Sequence, residues 1–188
     1  MSTSGDAGAM LRDGRAVRFA ATPYDSPVAR ALVAAVQQEY VVRYGGPDDA
    51  VVDPAEFAAP EGLFLVAEVD GEPAGCAAWR VHRDGPDEAT VEVKRVYVAA
   101  GFRRQGLAHL LMDALEAGAA AAGHRALVLN TGDRQPEALA LYAARGYVPV
   151  PGYGLYAESP GAVFLGKALP PRSGAETAGE REERPWAS

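Results

Sequence analysis

Apolar residues recur at Val28, Leu32, Ala35, Val36, Tyr40 and Val41, a spacing of three and four that predicts an amphipathic helix over 28–44. Gly45 and Gly46 stop it, and Pro47 forbids its continuation. Ahead of it, Val17–Ala20 reads as a short strand. The period then changes. Leu63–Val69 and Ala74–Val81 are apolar runs joined by the hairpin dipeptide Asp70-Gly71, and a turn at Asp84–Asp87 leads into the β-rich stretch Thr90–Val98. These three segments predict an antiparallel meander. Leu107, Leu110, Leu111, Ala114 and Leu115 then share one face of a second helix, closed near Ala122 by Gly123. Ala126–Leu129 reads as a buried strand. Pro136–Arg145 is a helix with proline in its first turn and Gly146 past its end. Tyr147–Pro149 and Ala162–Gly166 read as two last strands.

The 188 residues fit one domain, expected over 15–170, with a flexible segment at 1–14 and a charged, Gly- and Pro-rich disordered tail at 171–188. At 48% hydrophobic and 23% charged residues the chain can bury a core. No run of about 18 apolar residues occurs, and the N-terminus lacks the basic and apolar regions of a signal peptide. A soluble, cytoplasmic protein with no membrane partner is expected. The single cysteine, Cys76, excludes an intrachain disulfide and a multi-cysteine zinc site. It could carry an acyl group, but it lies in the apolar run 74–79 with no histidine nearby, which reads as a small buried hydrophobe. His82, His109 and His124 lack ligand spacing, so no metal is expected.

Net charge is −7, and Met1–Asp70 carries most of it, with 11 acids against 5 bases. An acidic chain without a basic stripe is a poor nucleic-acid binder. The acidic first third suits a cationic acceptor, although solvated surface acids explain it equally. Only two bases are lysine, Lys94 and Lys167, and Ala, Arg and Gly abound, a composition of GC-rich bacterial genomes.

The segment Val96-Tyr97-Val98-Ala99-Ala100-Gly101-Phe102-Arg103-Arg104-Gln105-Gly106-Leu107-Ala108 carries the chemistry. A strand ends, a short loop brings two arginines, and Gly106-Leu107-Ala108 opens an apolar-faced helix. The first amides of a helix lack internal partners and point along its positive end, so they bind anions. Gly106 presents no Cβ to a phosphate, Ala108 is small, and Arg103 and Arg104 can add charge-assisted bonds. The reading as a diphosphate cradle competes with a plain turn glycine beside solvated arginines. No Gly-x-x-x-x-Gly-Lys-[Ser/Thr] or Gly-x-Gly-x-x-Gly is present, so neither a P-loop nor a Rossmann site is supported.

Arg103 to Ala108 matches the pattern Arg/Gln-x-x-Gly-x-Gly/Ala. It follows the strand Val91–Val98 and precedes Ala138-Leu139-Ala140-Leu141-Tyr142-Ala143-Ala144-Arg145-Gly146-Tyr147. In that order these elements resemble the GCN5-related N-acetyltransferase (GNAT) family over about residues 17–169. The resemblance implies an α/β (α+β) fold with a mixed, mostly antiparallel sheet, helices on both faces, and two central parallel strands splayed near Val98 and Leu129. It implies acetyl-CoA as co-substrate, with backbone groups of Val96 and Val98 pairing with the pantetheine arm. The amides of Arg103, Arg104, Gln105, Gly106, Leu107 and Ala108 would hold the pyrophosphate. Gln135 stands where many relatives carry asparagine.

Acetyl transfer to an amine needs a neutral amine, a polarised carbonyl and a protonated leaving thiolate. Tyr142 occupies the family's position for the general acid; as a residue it reads equally as a core aromatic of its helix. Glu92 is the candidate base from the strand, or an ion-pair feature. Strand alternation places Glu92, Lys94, Val96 and Val98 on one face and Val91, Val93, Arg95 and Tyr97 on the other. Asn130 could bond the pantetheine amides or the acceptor, or simply lead into a turn. The resemblance puts the acceptor between Gln38–Asp53 and Pro151–Ser159, with Tyr40, Tyr44 and Tyr153 as its candidate contacts. The expected activity is acetylation of a small-molecule primary amine in a direct ternary complex. An acyl-CoA-binding module without turnover and a protein N-terminal or lysine acetyltransferase are the alternatives. Relatives often pair as homodimers, but no interface is marked in the sequence.

Overall fold

The computed structural model describes residues 8–84 and 89–170. In chain order the elements are β1 (Val17–Ala21), α1 (Pro27–Tyr44), β2 (Gly62–Val69), β3 (Glu72–Val81), β4 (Thr90–Val98), α2 (Leu107–Ala121), β5 (Ala126–Gly132), α3 (Pro136–Ala144), β6 (Val148–Pro149) and β7 (Ala162–Ala168). The seven strands form one sheet ordered β1-β2-β3-β4-β5-β7-β6. Only β4 and β5 run parallel; every other neighbouring pair is antiparallel.

Local signals set the element ends. Ser26 caps α1, its side chain accepting from the Ala29 amide at 3.3 Å, and Gly45 closes the helix in the left-handed region at φ 84°. Asp70 and Gly71 both take positive φ, as a two-residue hairpin joining β2 to β3 requires.

The sheet separates two apolar layers. On one face α2 and α3 cover Leu65, Trp79, Val91, Val93, Leu127 and Leu129. On the other, α1 and the turn around Phe57 cover Phe64, Val66, Cys76 and Ala78. Cys76 is fully buried and its thiol is pushed up to about 12 by burial, so it is no thiolate nucleophile at neutral pH. Glu116 ties the α2–α3 layer together, accepting from Arg145 at 3.1 Å, Tyr147 at 3.2 Å and Lys167 at 2.7 Å.

Two expectations change. The lead-in, expected to be flexible through Gly14, joins the fold from its apolar part onward: Leu11 is 3% exposed in the core and Met10 bridges Ala16. The face assignment along β4 also breaks. Cys76 opposes Tyr97 but Ala78 opposes Lys94, so β4 carries one extra residue, and Arg95 sits at φ 57°. That bulge inverts the alternation beyond it. Val96 and Val98 therefore pack on the α2 face with Val91 and Val93, while Arg95 and Tyr97 turn toward α1. The expected tail at 171–188, residues 1–7 and most of the 84–87 turn lie outside the described residues.

Candidate active site

The parallel ladder joins β4 to β5 only from Thr90↔Ala126 to Val93↔Leu129. Beyond that pair the strands part, and each keeps only its outer antiparallel neighbour. A cleft of about 930 Å³ opens between them, bounded by Val96 and Val98, the start of α2, α3 and the C-terminal half of α1. The expected splay is therefore present, starting one residue past Val93.

At one end lies the loop 103–108. Gly106 caps α2 at φ 88°, and Arg104 also takes a positive φ of 61°. The N–H groups of Arg104, Gln105, Gly106, Leu107 and Ala108 have no acceptor among the described residues. A Cβ on Gly106 would meet nothing closer than Arg12 Cγ at 4.0 Å, so the space in front of the glycine is open. Five unfilled donors at a helix start facing a cleft make an anion site. The side chains divide by role. Leu107 is buried in the core and offers only its amide. The Gln105 carbonyl accepts from the Arg12 amide at 3.0 Å, leaving its N–H free. Arg104 is exposed on the cleft. Arg103 is already engaged: its Nε donates to the Val98 carbonyl at 2.9 Å, and its guanidinium pairs with Glu39. Arg12, which the sequence reading missed, lines the same end.

Tyr142 lies on the cleft wall at the start of the α2–α3 layer, 6% exposed, with its ring 5.5 Å from that of Tyr147. Burial, and secondarily the neighbouring Tyr40, hold its hydroxyl well above the usual tyrosine range. Core aromatic and cleft residue are thus both true of it. Tyr40 lines the cleft too, its hydroxyl pushed up to about 12 by burial. Tyr44 closes one side: its hydroxyl accepts from Gln135 Nε2 at 3.1 Å and packs across Gly132, where any Cβ would come within 2.1 Å of it. Asn130 lines the cleft on β5.

The bulge brings Arg95 to the far end. Its guanidinium, 3% exposed, donates to Asp48 Oδ2 at 2.6 Å and to the Tyr24 hydroxyl at 3.5 Å. Asp48 also accepts from the Tyr156 hydroxyl at 2.8 Å and the Ala50 amide at 3.1 Å. Burial alone would raise the Asp48 carboxyl; the Arg95 bond and charge, with those two donors, outweigh it and hold it below the usual carboxylate range. This cluster carries no local sequence signal, since its members are 47 and 108 residues apart.

Two candidates fall elsewhere. Glu92 is off the large cleft: its carboxylate bonds Arg80 at 3.0 Å and Lys94 at 2.8 Å. Its carboxylate is thus engaged as an ion-pair partner and does not line the large cleft. Tyr153 packs edge-on with His82 at 4.5 Å and Phe164 at 5.0 Å, and with Glu92 it lines a smaller adjoining chamber rather than the large cleft itself.

The model of the acetyltransferase (GNAT) family matches residues 29–147. The chain belongs to the GNAT acetyltransferase family. An IAA acetyltransferase of Azospirillum brasilense is 31% identical over 150 residues, covering 77% of this chain and 95% of the relative. Among solved structures, a Klebsiella pneumoniae protein assigned as an acyl-CoA N-acyltransferase is 29% identical with a TM-score of 0.66, covering 81% of this chain and 97% of that one. A GNAT acetyltransferase from Elizabethkingia anophelis with acetyl-CoA bound has a TM-score of 0.58 at 17% identity, covering 81% and 98%. The family uses acetyl-CoA, and the mixed seven-stranded sheet of this GNAT domain is the family's fold. Among the described residues no helix is long and apolar enough to cross a membrane.

Proposed function

We propose that this acetyltransferase moves the acetyl group of acetyl-CoA to the primary amine of a small molecule in a direct ternary complex. The observation that carries the reading is the run of five acceptor-free amides from Arg104 to Ala108 at the mouth of the forked cleft. A pyrophosphate fits that donor set, with Arg104 and Arg12 adding positive charge. The edge of β4 at Val96 and Val98, where the Val98 carbonyl accepts from Arg103 Nε, suits an extended pantetheine arm, which adds to β4 as a strand would; Asn130 faces it from β5.

Tyr142 is the general acid. Its raised pKa keeps the proton on the hydroxyl at neutral pH, and the leaving thiolate, in the same buried cleft, becomes more basic for the same reason. Cys76, fully buried and protonated, is not placed to carry the acetyl group as a cysteine thioester. The amine is deprotonated by water: the cleft carboxylates Asp48, Glu39 and Glu137 are all engaged, by Arg95, Arg103 and Arg43. A small-molecule acceptor agrees with the 31% identical IAA acetyltransferase. The same engaged carboxylates favour one second reading, a module that binds acyl-CoA without turnover.

Thermal shift with acetyl-CoA, followed by an amine screen reading released thiol, separates the two. Binding to the native state alone raises stability by about 2.7 kcal/mol at a hundredfold excess over Kd. Stabilisation together with thiol release supports the enzyme. Stabilisation with no transfer across the screen supports the module.

A further inference from the structure

Past the acceptor end the cleft continues into a second chamber of about 220 Å³, floored by Arg80, Glu92 and Tyr153. Lys94, Asn130 and Tyr156 line both spaces. Their position follows from the ladder. Val93↔Leu129 is the last parallel pair, so Lys94 and Asn130 are the first residues on either side of the fork.

Donors outnumber acceptors at this junction. An ammonium has three N–H groups, yet Lys94, 14% exposed, bonds only Glu92 Oε1 among the described residues. The Asn130 carboxamide has no partner among them. Nearby carboxylates cannot serve a cationic ligand: Glu92 is shared with Arg80, and Asp48 is filled by Arg95, Tyr156 and Ala50. Asp84 is exposed at the chamber's rim. The buried and half-buried side chains beneath the junction are three cations, Arg80, Lys94 and Arg95, and three carboxylates, Glu92, Asp48 and Glu56, so no carboxylate there lacks a cation. An ammonium with unfilled N–H groups beside a carboxamide without a partner offers charge-assisted bonds to an incoming anion. The chamber's lips are apolar: Val51 is 94% exposed and Leu155 68%.

We propose that the fork is an anion subsite, and that the acceptor is a primary amine bearing a carboxylate close to that amine and an apolar side chain. Lys94 and Asn130 hold the carboxylate, and Val51 and Leu155 cover the side chain. The inference rests on the amine-acetyltransferase reading above, and it reverses the cationic acceptor that the acidic first third of the sequence suggests.

The test compares matched acceptors with acetyl-CoA: phenylalanine against phenethylamine, and leucine against isopentylamine. The wild type should favour the amino acid in kcat/KM by roughly tenfold to a hundredfold, the worth of a hydrogen bond to a charged group. Lys94→Met should collapse that ratio and Lys94→Arg should retain most of it. Because Lys94 sits in the central sheet, a second measurement needs only wild-type protein: calorimetry should find N-acetylphenylalanine binding more tightly than N-acetylphenethylamine. Preference for the decarboxylated amine, an unchanged ratio in Lys94→Met, or equal product affinities overturns the subsite alone. Transfer to no amine at all overturns the subsite and the amine-acetyltransferase reading together.

Discussion

The buried guanidinium of Arg95 and the half-buried carboxylate of Asp48 meet at 2.6 Å at the end of the cleft, 47 residues apart in sequence. The β4 bulge creates this pair, because it turns Arg95 out of the strand's ordinary alternation toward α1. Removing one partner strands the other charge. Asp48→Ala should cost about 3–5 kcal/mol of unfolding free energy, read by urea denaturation. The acid limb carries the same signature. The folded Asp48 pKa lies below its unfolded value, so its stabilisation is present above about pH 4 and is lost as pH falls below that. Asp48→Asn should flatten this part of the stability profile.

Tyr142→Phe should lower kcat by at least about a hundredfold, the usual worth of general acid catalysis, with acetyl-CoA affinity measured by calorimetry within a factor of two or so of wild type. Glu92→Gln separates a base from an ion pair. With Glu92 already held by Arg80 and Lys94, turnover should fall less than about tenfold while the urea midpoint drops, since two cations lose a shared partner. A larger loss of kcat with an unmoved midpoint would return the base role to Glu92.

At alkaline pH the buried phenols act together. Tyr40, Tyr142, Tyr147 and Tyr153 all have folded pKa values raised by burial. Their protonated forms are favoured by folding, so the stabilisation is complete below the unfolded tyrosine pKa of about 10 and lost as pH rises beyond it. Thermal midpoints should fall steeply above pH 10. Tyr142→Phe should make that fall shallower, whereas substitution of an exposed surface residue should leave it unaltered.

Gly106→Ala places a side chain at φ 88° with open space around it. The backbone penalty should be about 1–2 kcal/mol. The added Cβ also faces the amide donors, so acetyl-CoA affinity should fall by more than the lost stability alone explains. Comparing calorimetric Kd at a temperature where the variant is fully folded checks this.

Most elements were legible because their signals are local. Period and breakers placed α1 over 28–44 ahead of Gly45, the Asp70-Gly71 hairpin and the glycine-opened α2 within a residue or two. The cradle was legible for the same reason: strand, arginines and Gly106 are contiguous. What stayed hidden depends on one residue or on distance. A single extra residue in β4 flips Val96 and Val98 to the other face, and nothing between Lys94 and Tyr97 announces it. Base and ion pair stayed open for Glu92 because its partner Arg80 lies across a strand pair. Arg12 reaches the cradle through a backbone bond to Gln105, with Leu11 beside it as the local hint. Tyr153 was assigned to the acceptor from its loop; its ring packing with His82 and Phe164 directs it into the smaller chamber.

The central claim is that the open amides of Arg104 to Ala108 hold a diphosphate. Calorimetric titration of acetyl-CoA against S-acetylpantetheine, which keeps the thioester arm and lacks the pyrophosphate, tests it most directly. Several charge-assisted bonds at about 1.5–3 kcal/mol each predict an affinity gap of at least a hundredfold in favour of acetyl-CoA, and Arg104→Ala should narrow it. Equal affinities, or no binding of acetyl-CoA at all, would contradict the account.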